Sequence, residues 1–214
     1  MTIGILLAAG AGSRFGGDKL LAPLHGRPLV LHAVDALRPA VTEIIAVVRP
    51  GDEELAAVLT QAGARVAVCD QAAAGMGHSL ACGARLAPLD CNVVVALGDM
   101  PAVALHTIER IIAALDAGAA IAVPCHQGRR GHPVGFAARF VPRLQELTQD
   151  RGARGILHNN VDAVLEIPID DAGVLTDVDT VTDLEQVSRR HPEMQPGPSR
   201  SPERRGTRTR KTPP

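Results

Sequence analysis

Apolar residues follow two kinds of pattern along the first 190 positions. Short runs without polar gaps predict buried strands, and segments with apolar residues three and four positions apart predict amphipathic helices. Pro28 precedes one helical pattern and Gly63 ends another, as is typical of helix boundaries. The predicted strands are 2–8, 43–48, 64–68, 92–97 and 119–124, and the predicted helices are 29–37, 52–62, 75–86 and 104–117.

These strand and helix candidates alternate along the chain. Such alternation is typical of a mostly parallel sheet flanked by helices, because parallel neighbours need a crossover connection. A further strand is expected within 155–169 and a last helix within 175–187. The pattern predicts one α/β domain over residues 1–190, with ligands at the carboxyl ends of its strands.

The chain changes character after residue 190. Residues 191–214 are dense in Pro, Ser and Arg and contain almost no large apolar side chain. Such a segment buries too little surface to offset the entropy of ordering it, so we expect a disordered basic tail rich in Pro and Arg. A docking element for nucleic acid or an acidic partner is the alternative interpretation.

The composition excludes several classes of function. The chain has no Trp or Tyr and three Phe, so aromatic stacking of unpaired bases is unavailable and a nucleic-acid partner is not expected. Neither a signal peptide nor an apolar run of membrane-spanning length is recognisable. The four cysteines lack the C-x-x-C spacing of zinc sites. We expect a cytoplasmic protein with reduced thiols and no membrane partner.

The stretch 6–19, LLAAGAGSRFGGDK, is the most distinctive part of the sequence. Its glycines allow positive φ angles and a close backbone approach, so that successive N–H groups can face phosphate oxygens. Arg14 and Lys19 add two cations, and together these features predict an anion-binding loop. The alternative is a strand-to-loop corner whose charges are only solvated.

Two standard glycine motifs do not fit this loop. A dinucleotide fingerprint needs a third glycine where Phe15 stands. A P-loop needs Lys directly after Gly17, where Asp18 stands, and a hydroxyl at the position of Leu20. The missing third glycine argues against an oxidoreductase that uses a dinucleotide, which is a further alternative function.

Asp99 ends the most apolar strand candidate. A carboxylate beside a buried strand is costly unless it is paired or bound to a cation, which makes Asp99 a candidate metal ligand. The alternative is an N-cap for the helix of 104–117. Asp177 or Thr180 could in the same way cap the last helix.

Cations also cluster in the segments 126–136, HQGRRGHPVGF, which we expect to be a loop, and 150–154, DRGAR. Arg130, His132 and Arg154 stand beside glycines there, which favours a second contact with an anion or a substrate. An isolated surface histidine is usually inert, so this prediction depends on the clustering.

Six motifs together resemble those of the molybdenum cofactor cytidylyltransferases and related MobA-like nucleotidyltransferases. The resemblance covers about residues 3–187 and implies a single Rossmann-like domain of the nucleotide-diphospho-sugar transferase type. It also implies transfer of CMP from CTP to a phosphorylated acceptor, with release of pyrophosphate. The motifs are LAAGAGSRFGGDK, GMGHSL, ALGDMP, GRRGHPVGF, DRGAR and TDVDTVTDL.

The resemblance also implies roles for single residues. Arg14, Lys19 and Asp99 would be catalytic, and Mg²⁺ would be held by Asp99 and Asp179. Magnesium suits this chemistry as a hard cation bound by one or two carboxylates and by substrate phosphates. The nucleotide would be bound by Leu7, Ala8, Ala9, Gly10, Gly12, Ser13, Gly75 and Ser79.

Further details of the resemblance concern the two substrates. Ala9 gives LAAG, as in the cytidine-using branch, where the guanylyltransferase branch has LAGG. Arg130, His132 and Arg154 would bind the acceptor, expected to be a molybdopterin-type cofactor for a molybdoenzyme client. The alternatives are a guanylyltransferase using GTP, a sugar-phosphate nucleotidyltransferase, and a non-catalytic nucleotide-binding protein that delivers cofactor.

The last motif departs from the family pattern D-[IV]-D-T-P-E-D. Val181 and Thr182 replace its Pro-Glu pair, whereas both aspartates of the D-x-D part, Asp177 and Asp179, are present.

Overall fold

A mixed, mostly parallel sheet forms the centre of the computed structural model, which describes residues 1–10, 12, 14–148 and 152–192. The strands are β1 (Thr2–Leu7), β2 (Pro23–Leu24), β3 (Arg27–Pro28), β4 (Glu43–Val48), β5 (Arg65–Val68), β6 (Asn92–Leu97), β7 (Ile121–His126), β8 (Arg129–Arg130), β9 (Val134–Phe136) and β10 (Val164–Pro168). β2 and β3 form a separate hairpin; the main sheet has the order β10-β7-β9-β6-β1-β4-β5, with β8 paired to β7. The predicted α/β fold is confirmed.

Helices cover both faces of this sheet. They are α1 (Leu29–Leu37), α2 (Glu53–Gln61), α3 (Met76–Ala84), α4 (Leu105–Asp116), α5 (Val141–Gln145), α6 (Arg154–Asn159) and α7 (Val181–Arg190). One aliphatic core lies under α1, α2, α4 and α7, and the other under α3, α5 and α6. Side chains of β1 alternate between them, with Leu6 in the first core and Ile5 in the second. None of the helices in the described residues is long and apolar enough to cross a membrane.

The parallel strands end together at one edge of the sheet. Leu7, the last residue of β1, is paired with Val47 of β4 on one side and with Leu97 of β6 on the other. The Gly98 N–H donates to the Leu7 carbonyl oxygen at 2.9 Å. The glycine loop after β1 and Asp99 after β6 therefore start side by side.

The segment 126–136, expected to be a loop, contains two short strands, so that expectation was wrong. β8 folds back onto β7, and β9 runs antiparallel between β6 and β7. Gly135 allows this close packing, since a Cβ there would lie 2.5 Å from Ile111 Cγ2 of α4. Three residues of β9 are too few to show a strand period. Because β9 is antiparallel to β6, His132 ahead of it lies near the carboxyl end of β6.

The start of α4 is capped from a distant segment. Asp171, 9% exposed, accepts hydrogen bonds from the Ala104 N–H at 3.0 Å, the Thr107 hydroxyl at 2.6 Å and the Gly173 N–H at 2.9 Å. Ala104 occupies the N-cap position. The alternative role of Asp99 as the cap of this helix is therefore excluded.

The last helix, α7, ends at Arg190, and the division of the chain into a domain of residues 1–190 and a tail stays a prediction. Most of the predicted tail, residues 193–214, lies outside the described residues. Its disorder and its partners therefore stay predictions.

Candidate active site

Four side chains singled out in the sequence meet beyond the carboxyl end of β6. Lys19 Nζ lies 2.8 Å from Asp99 Oδ2 and 3.1 Å from Asp179 Oδ1. Arg14 Nη1 lies 2.9 Å from Asp179 Oδ2. The Lys19 side chain is 10% exposed and that of Arg14 is 76% exposed. We call these four residues the ion cluster, in which two cations balance two carboxylates.

Lys19 remains an ammonium within the ion cluster. Burial lowers the pKa of its amine, but the hydrogen bonds and negative charges of Asp99 and Asp179 outweigh burial, so the pKa lies above the ordinary value of 10.5. A charged amine in a partly dry environment is a strong counter-ion for phosphate oxygens.

The two carboxylates of the cluster sit on segments that are tied together. The Val178 N–H donates to the Asp99 carbonyl oxygen at 2.9 Å, which holds the Asp179 segment against the end of β6. Within the described ranges, no group of three or more His, Cys, Asp or Glu could hold a metal ion. Two converging carboxylates instead suit a hard cation that is shared with substrate phosphates.

A capping box fixes the turn that carries Asp179. Thr180 is the N-cap of α7, and the Asp183 carboxylate accepts from the N–H groups of Asp179 at 3.1 Å and Thr180 at 2.8 Å. The hydrogen bond from the Thr180 hydroxyl is the main cause that lowers the pKa of Asp183, and it outweighs the opposite effect of burial. Thr180 rather than Asp177 therefore caps α7, and the turn is held without the family's Pro-Glu pair.

The glycine loop bends through two residues with positive φ, Gly12 at 57° and Gly16 at 78°. Residues that have a Cβ atom rarely adopt this backbone conformation. The Phe15 N–H donates to the Gly12 carbonyl oxygen at 2.9 Å and closes the turn that contains Arg14. Ser13, predicted to bind the nucleotide, lies outside the described residues.

The first of two large cavities that the described residues form at this edge, which we call the β4–β5 cavity, has a volume of about 670 Å³. Ser79, in the first turn of α3, is 4% exposed at its wall. Ala8 and Gly12 line a neighbouring cavity of about 270 Å³. The predicted nucleotide-binding residues that line the β4–β5 cavity are Leu7, Ala9, Gly10, Gly75 and Ser79.

Two charged residues of the β4–β5 cavity belong to no sequence motif. Arg49 comes directly after β4, Asp70 follows β5 by two positions, and both line the cavity. The only signal for them was their position, because ligands of open α/β sheets bind beyond the carboxyl ends of the strands.

The second cavity, which we call the β6–β9 cavity, has a volume of about 620 Å³ and contains all three residues predicted to bind the acceptor. The Arg130 guanidinium is paired with Glu166 at 2.7 Å. Burial is the main cause that lowers the pKa of His132, so its imidazole is neutral at pH 7. Arg154 begins α6. The apolar strand residues of the wall are Leu7, Val95, Leu97, Val123, Val134 and Phe136.

The two cavities share a wall. It is formed by Leu7, Arg14, Met76, Leu97 and Asp99, and two of these residues belong to the ion cluster. Ligands in the two cavities would therefore meet beside a buried ammonium and a pair of carboxylates. This arrangement can hold two phosphorylated molecules in contact and stabilise the negative charge that moves between them.

The sequence matches one family model, and it matches two relatives over most of their length. A family described as the MobA-like NTP transferase domain matches residues 4–164. Nicotine blue oxidoreductase of Paenarthrobacter nicotinovorans is 31% identical over 191 residues, which are 85% of this chain and 93% of that protein. The purine catabolism protein PucB of Bacillus subtilis is 30% identical over 203 residues, which are 87% of this chain and 96% of that protein.

Two other comparisons bear on ligands. A probable molybdenum cofactor guanylyltransferase of Thermococcus gammatolerans is 51% identical over 45 residues, which are 20% of this chain and 24% of that protein. The crystal structure of Rv0371c from Mycobacterium tuberculosis H37Rv in complex with manganese is 28% identical, with a TM-score of 0.72 over 88% of this chain and 98% of that one.

Proposed function

Because the chain belongs to the family of MobA-like NTP transferase domains, we propose that it transfers CMP from CTP to a phosphorylated acceptor, a molybdopterin-type cofactor, and releases pyrophosphate. The observation that carries this proposal is the wall shared by the two cavities at Arg14 and Asp99. A triphosphate in the β4–β5 cavity can present its α-phosphate there to an acceptor phosphate in the β6–β9 cavity.

The reaction exchanges one phosphorus–oxygen bond for another. An acceptor phosphate oxygen attacks the α-phosphorus, and the bond from the α-phosphorus to the oxygen that bridges to the β-phosphate breaks. The electron pair leaves with pyrophosphate, so negative charge grows on the departing group. Lys19 and Arg14 supply fixed positive charge beside it. A protein nucleophile is not needed, because holding both substrates in line supplies the catalysis.

Asp99 and Asp179 would hold Mg²⁺. The fit rests on the donor set, since both carboxylates converge on Lys19 Nζ and Mg²⁺ favours one or two carboxylates together with phosphate oxygens and waters. When bound, the ion supplies positive charge to the phosphate oxygens. The manganese complex of Rv0371c supports a divalent cation in a relative.

The choice of CTP depends on Ala9, which lines the β4–β5 cavity and is 9% exposed. Its methyl group takes room that a glycine would leave to a larger purine. The similarity to a guanylyltransferase over 45 residues makes GTP the competing donor.

Release of pyrophosphate tests the proposal directly. The purified chain is incubated with Mg²⁺, molybdopterin-type cofactor and either CTP or GTP, and pyrophosphate is measured over time. We expect faster release with CTP. Preference for GTP would assign a guanylyltransferase, release only with sugar phosphates would change the acceptor, and no release with any pair would refute the nucleotidyltransferase.

A second candidate function is an oxidoreductase that uses a dinucleotide. It is favoured by one observation, the name of the relative nicotine blue oxidoreductase, which matches 85% of this chain at 31% identity. Titration with NADPH, followed by its fluorescence, separates the two functions. Stoichiometric, tight binding of NADPH without pyrophosphate chemistry would favour the oxidoreductase.

A further inference from the structure

The carboxylate of Asp52 binds the side chain of Arg49 and does not cap the helix α2. Asp52 occupies the N-cap position of α2, yet its side chain accepts no hydrogen bond from the described residues of that helix. Both of its oxygens lie 3.0 Å from Arg49 Nε instead. An N-cap aspartate normally stabilises the helix start, so Asp52 serves the orientation of Arg49.

This ion pair leaves the far end of the guanidinium available to a ligand. Nε is bound to Asp52, and within the described ranges no acceptor lies in hydrogen-bonding distance of the two terminal nitrogens. The Arg49 side chain is 34% exposed and lines both the β4–β5 cavity and the neighbouring smaller cavity, whereas Asp52 lines only the smaller one. Arg49 is a pre-oriented donor, and Asp52 is its positioning residue.

The place of Arg49 along the sheet edge points to the base of the nucleotide. The strands β6, β1, β4 and β5 are consecutive neighbours, about 4.8 Å apart. The reacting phosphates belong between Asp99, after β6, and the glycine loop, after β1. Arg49 follows β4, one strand further on, beside Asp70 after β5. By this strand order, Arg49 lies one strand further from Asp99 than the glycine loop does, on the side of the β4–β5 cavity toward β5.

We propose that Arg49 is a specificity-determining residue that donates hydrogen bonds to acceptor atoms on the edge of the base, such as O2 of cytosine. The proposal rests on the nucleotidyltransferase function proposed above. The guanidinium presents two donors in a rigid fork, which matches neighbouring acceptors on a base edge. Because Asp52 already fixes the fork, binding a base loses little side-chain entropy.

Calorimetric titrations of the full chain with CTP, CMP and pyrophosphate, each with Mg²⁺, test this role. For Arg49→Ala we expect affinities for CTP and CMP to fall by roughly tenfold or more, as for a lost charge-assisted hydrogen bond, with unchanged affinity for pyrophosphate. Arg49→Lys should lose nearly as much, since lysine lacks the fork. Asp52→Ala should cause a smaller loss of the same kind.

Arg27→Ala is the matched control. Arg27 also pairs with an aspartate, Asp35, at 2.7 Å, and its side chain is 35% exposed, but it does not belong to the described lining of either cavity. It should leave all three affinities unchanged. Melting temperatures of all variants verify folding, and Arg49→Lys and Asp52→Ala carry the test if Arg49→Ala does not fold.

The other outcomes separate the failures. An equal loss for CTP and pyrophosphate would make Arg49 a phosphate contact and overturn its role at the base. Unchanged affinities in Arg49→Ala, with tight CTP binding by the wild type, would overturn the role of Arg49 and leave the proposed function standing. A wild type that binds none of the three ligands would overturn both.

Discussion

The two cavities are similar in volume, about 670 and 620 Å³, but different parts of the chain build them. The β4–β5 cavity is formed mainly by the glycine loop and by residues that follow parallel strands. The β6–β9 cavity is lined by side chains of the sheet itself, including the antiparallel strand β9. Backbone groups of a loop suit phosphates, which every nucleotide shares, whereas a lining of side chains can be matched to one acceptor. We infer a division of labour between nucleotide and acceptor, which substitutions can break.

Asp99→Asn, at the wall shared by both cavities, should have the largest effect. It removes one charge from the ion cluster and one proposed metal ligand, so we expect kcat to fall by roughly 100-fold or more. Pyrophosphate release at saturating substrates measures this loss. Asp162→Asn, at an exposed position, is the control and should keep wild-type turnover; near-normal kcat in Asp99→Asn would place the chemistry elsewhere.

Arg154→Ala should affect the β6–β9 cavity alone. The lost cation should raise the KM for the acceptor by roughly tenfold, as for a missing charge-assisted hydrogen bond, with the KM for CTP unchanged. Initial rates with each substrate varied in turn provide both constants. Arg190→Ala, an exposed arginine at the end of α7, should change neither. A rise in the KM for CTP would contradict the division between the cavities.

Ala9→Gly should shift the choice of base by a smaller factor. One methyl group in a pocket changes discrimination between substrates by about 1 to 3 kcal/mol. Because the cavity wall can partly relax, we expect a smaller effect, a several-fold rise in the ratio of kcat/KM for GTP to kcat/KM for CTP. Competition between the two donors in one reaction measures the ratio. An unchanged ratio would remove Ala9 from the determinants of base choice.

Asp183→Ala should have the smallest effect on turnover and a measurable effect on stability. Loss of the capping box should lower the free energy of unfolding by about 1 kcal/mol at pH 7. Because the pKa of Asp183 is lowered in the folded state, its contribution is present above the unfolded value of 3.8 and is lost as the pH falls through the folded value.

Urea unfolding at pH 7 and at pH 3 checks this sign. The difference between wild type and Asp183→Ala should shrink at the lower pH. Glu185→Ala, on the same helix and paired with Arg189 at 3.2 Å on the exposed surface, should change stability by only a few tenths of a kcal/mol. If the difference in the free energy of unfolding between wild type and Asp183→Ala grows as the pH falls, the role of Asp183 in the capping box is contradicted.

Most of the fold could be predicted from the sequence because its long elements have clear periods. The runs that became β1, β4 and β6 are six residues each and have no polar residue after the first position. β8, β9 and α5 have two, three and five residues, which is too short for a period to show. The strands around the β6–β9 cavity were therefore the part of the backbone that was predicted wrongly.

The candidate site shows the same limit. Lys19 and Asp99 could be singled out because a glycine loop and a strand end mark them, and the fold brings them within 2.8 Å of each other. Arg49 and Asp171 carry no such mark. The partner of Arg49, Asp52, is only three positions away, but an arginine and an aspartate at that spacing are too common to indicate a site. The partners of Asp171 at the start of α4 lie 64 and 67 positions away, so the sequence pattern does not show that contact.

The division of labour is tested most directly by a crystal structure of the chain with CTP and Mg²⁺. The account predicts the α-phosphate beside Asp99 and Lys19 and the cytosine in the β4–β5 cavity, in contact with Ala9 and Ser79, with the β6–β9 cavity open to the acceptor. A cytosine seated in the β6–β9 cavity, or a triphosphate that does not contact the ion cluster, would contradict it.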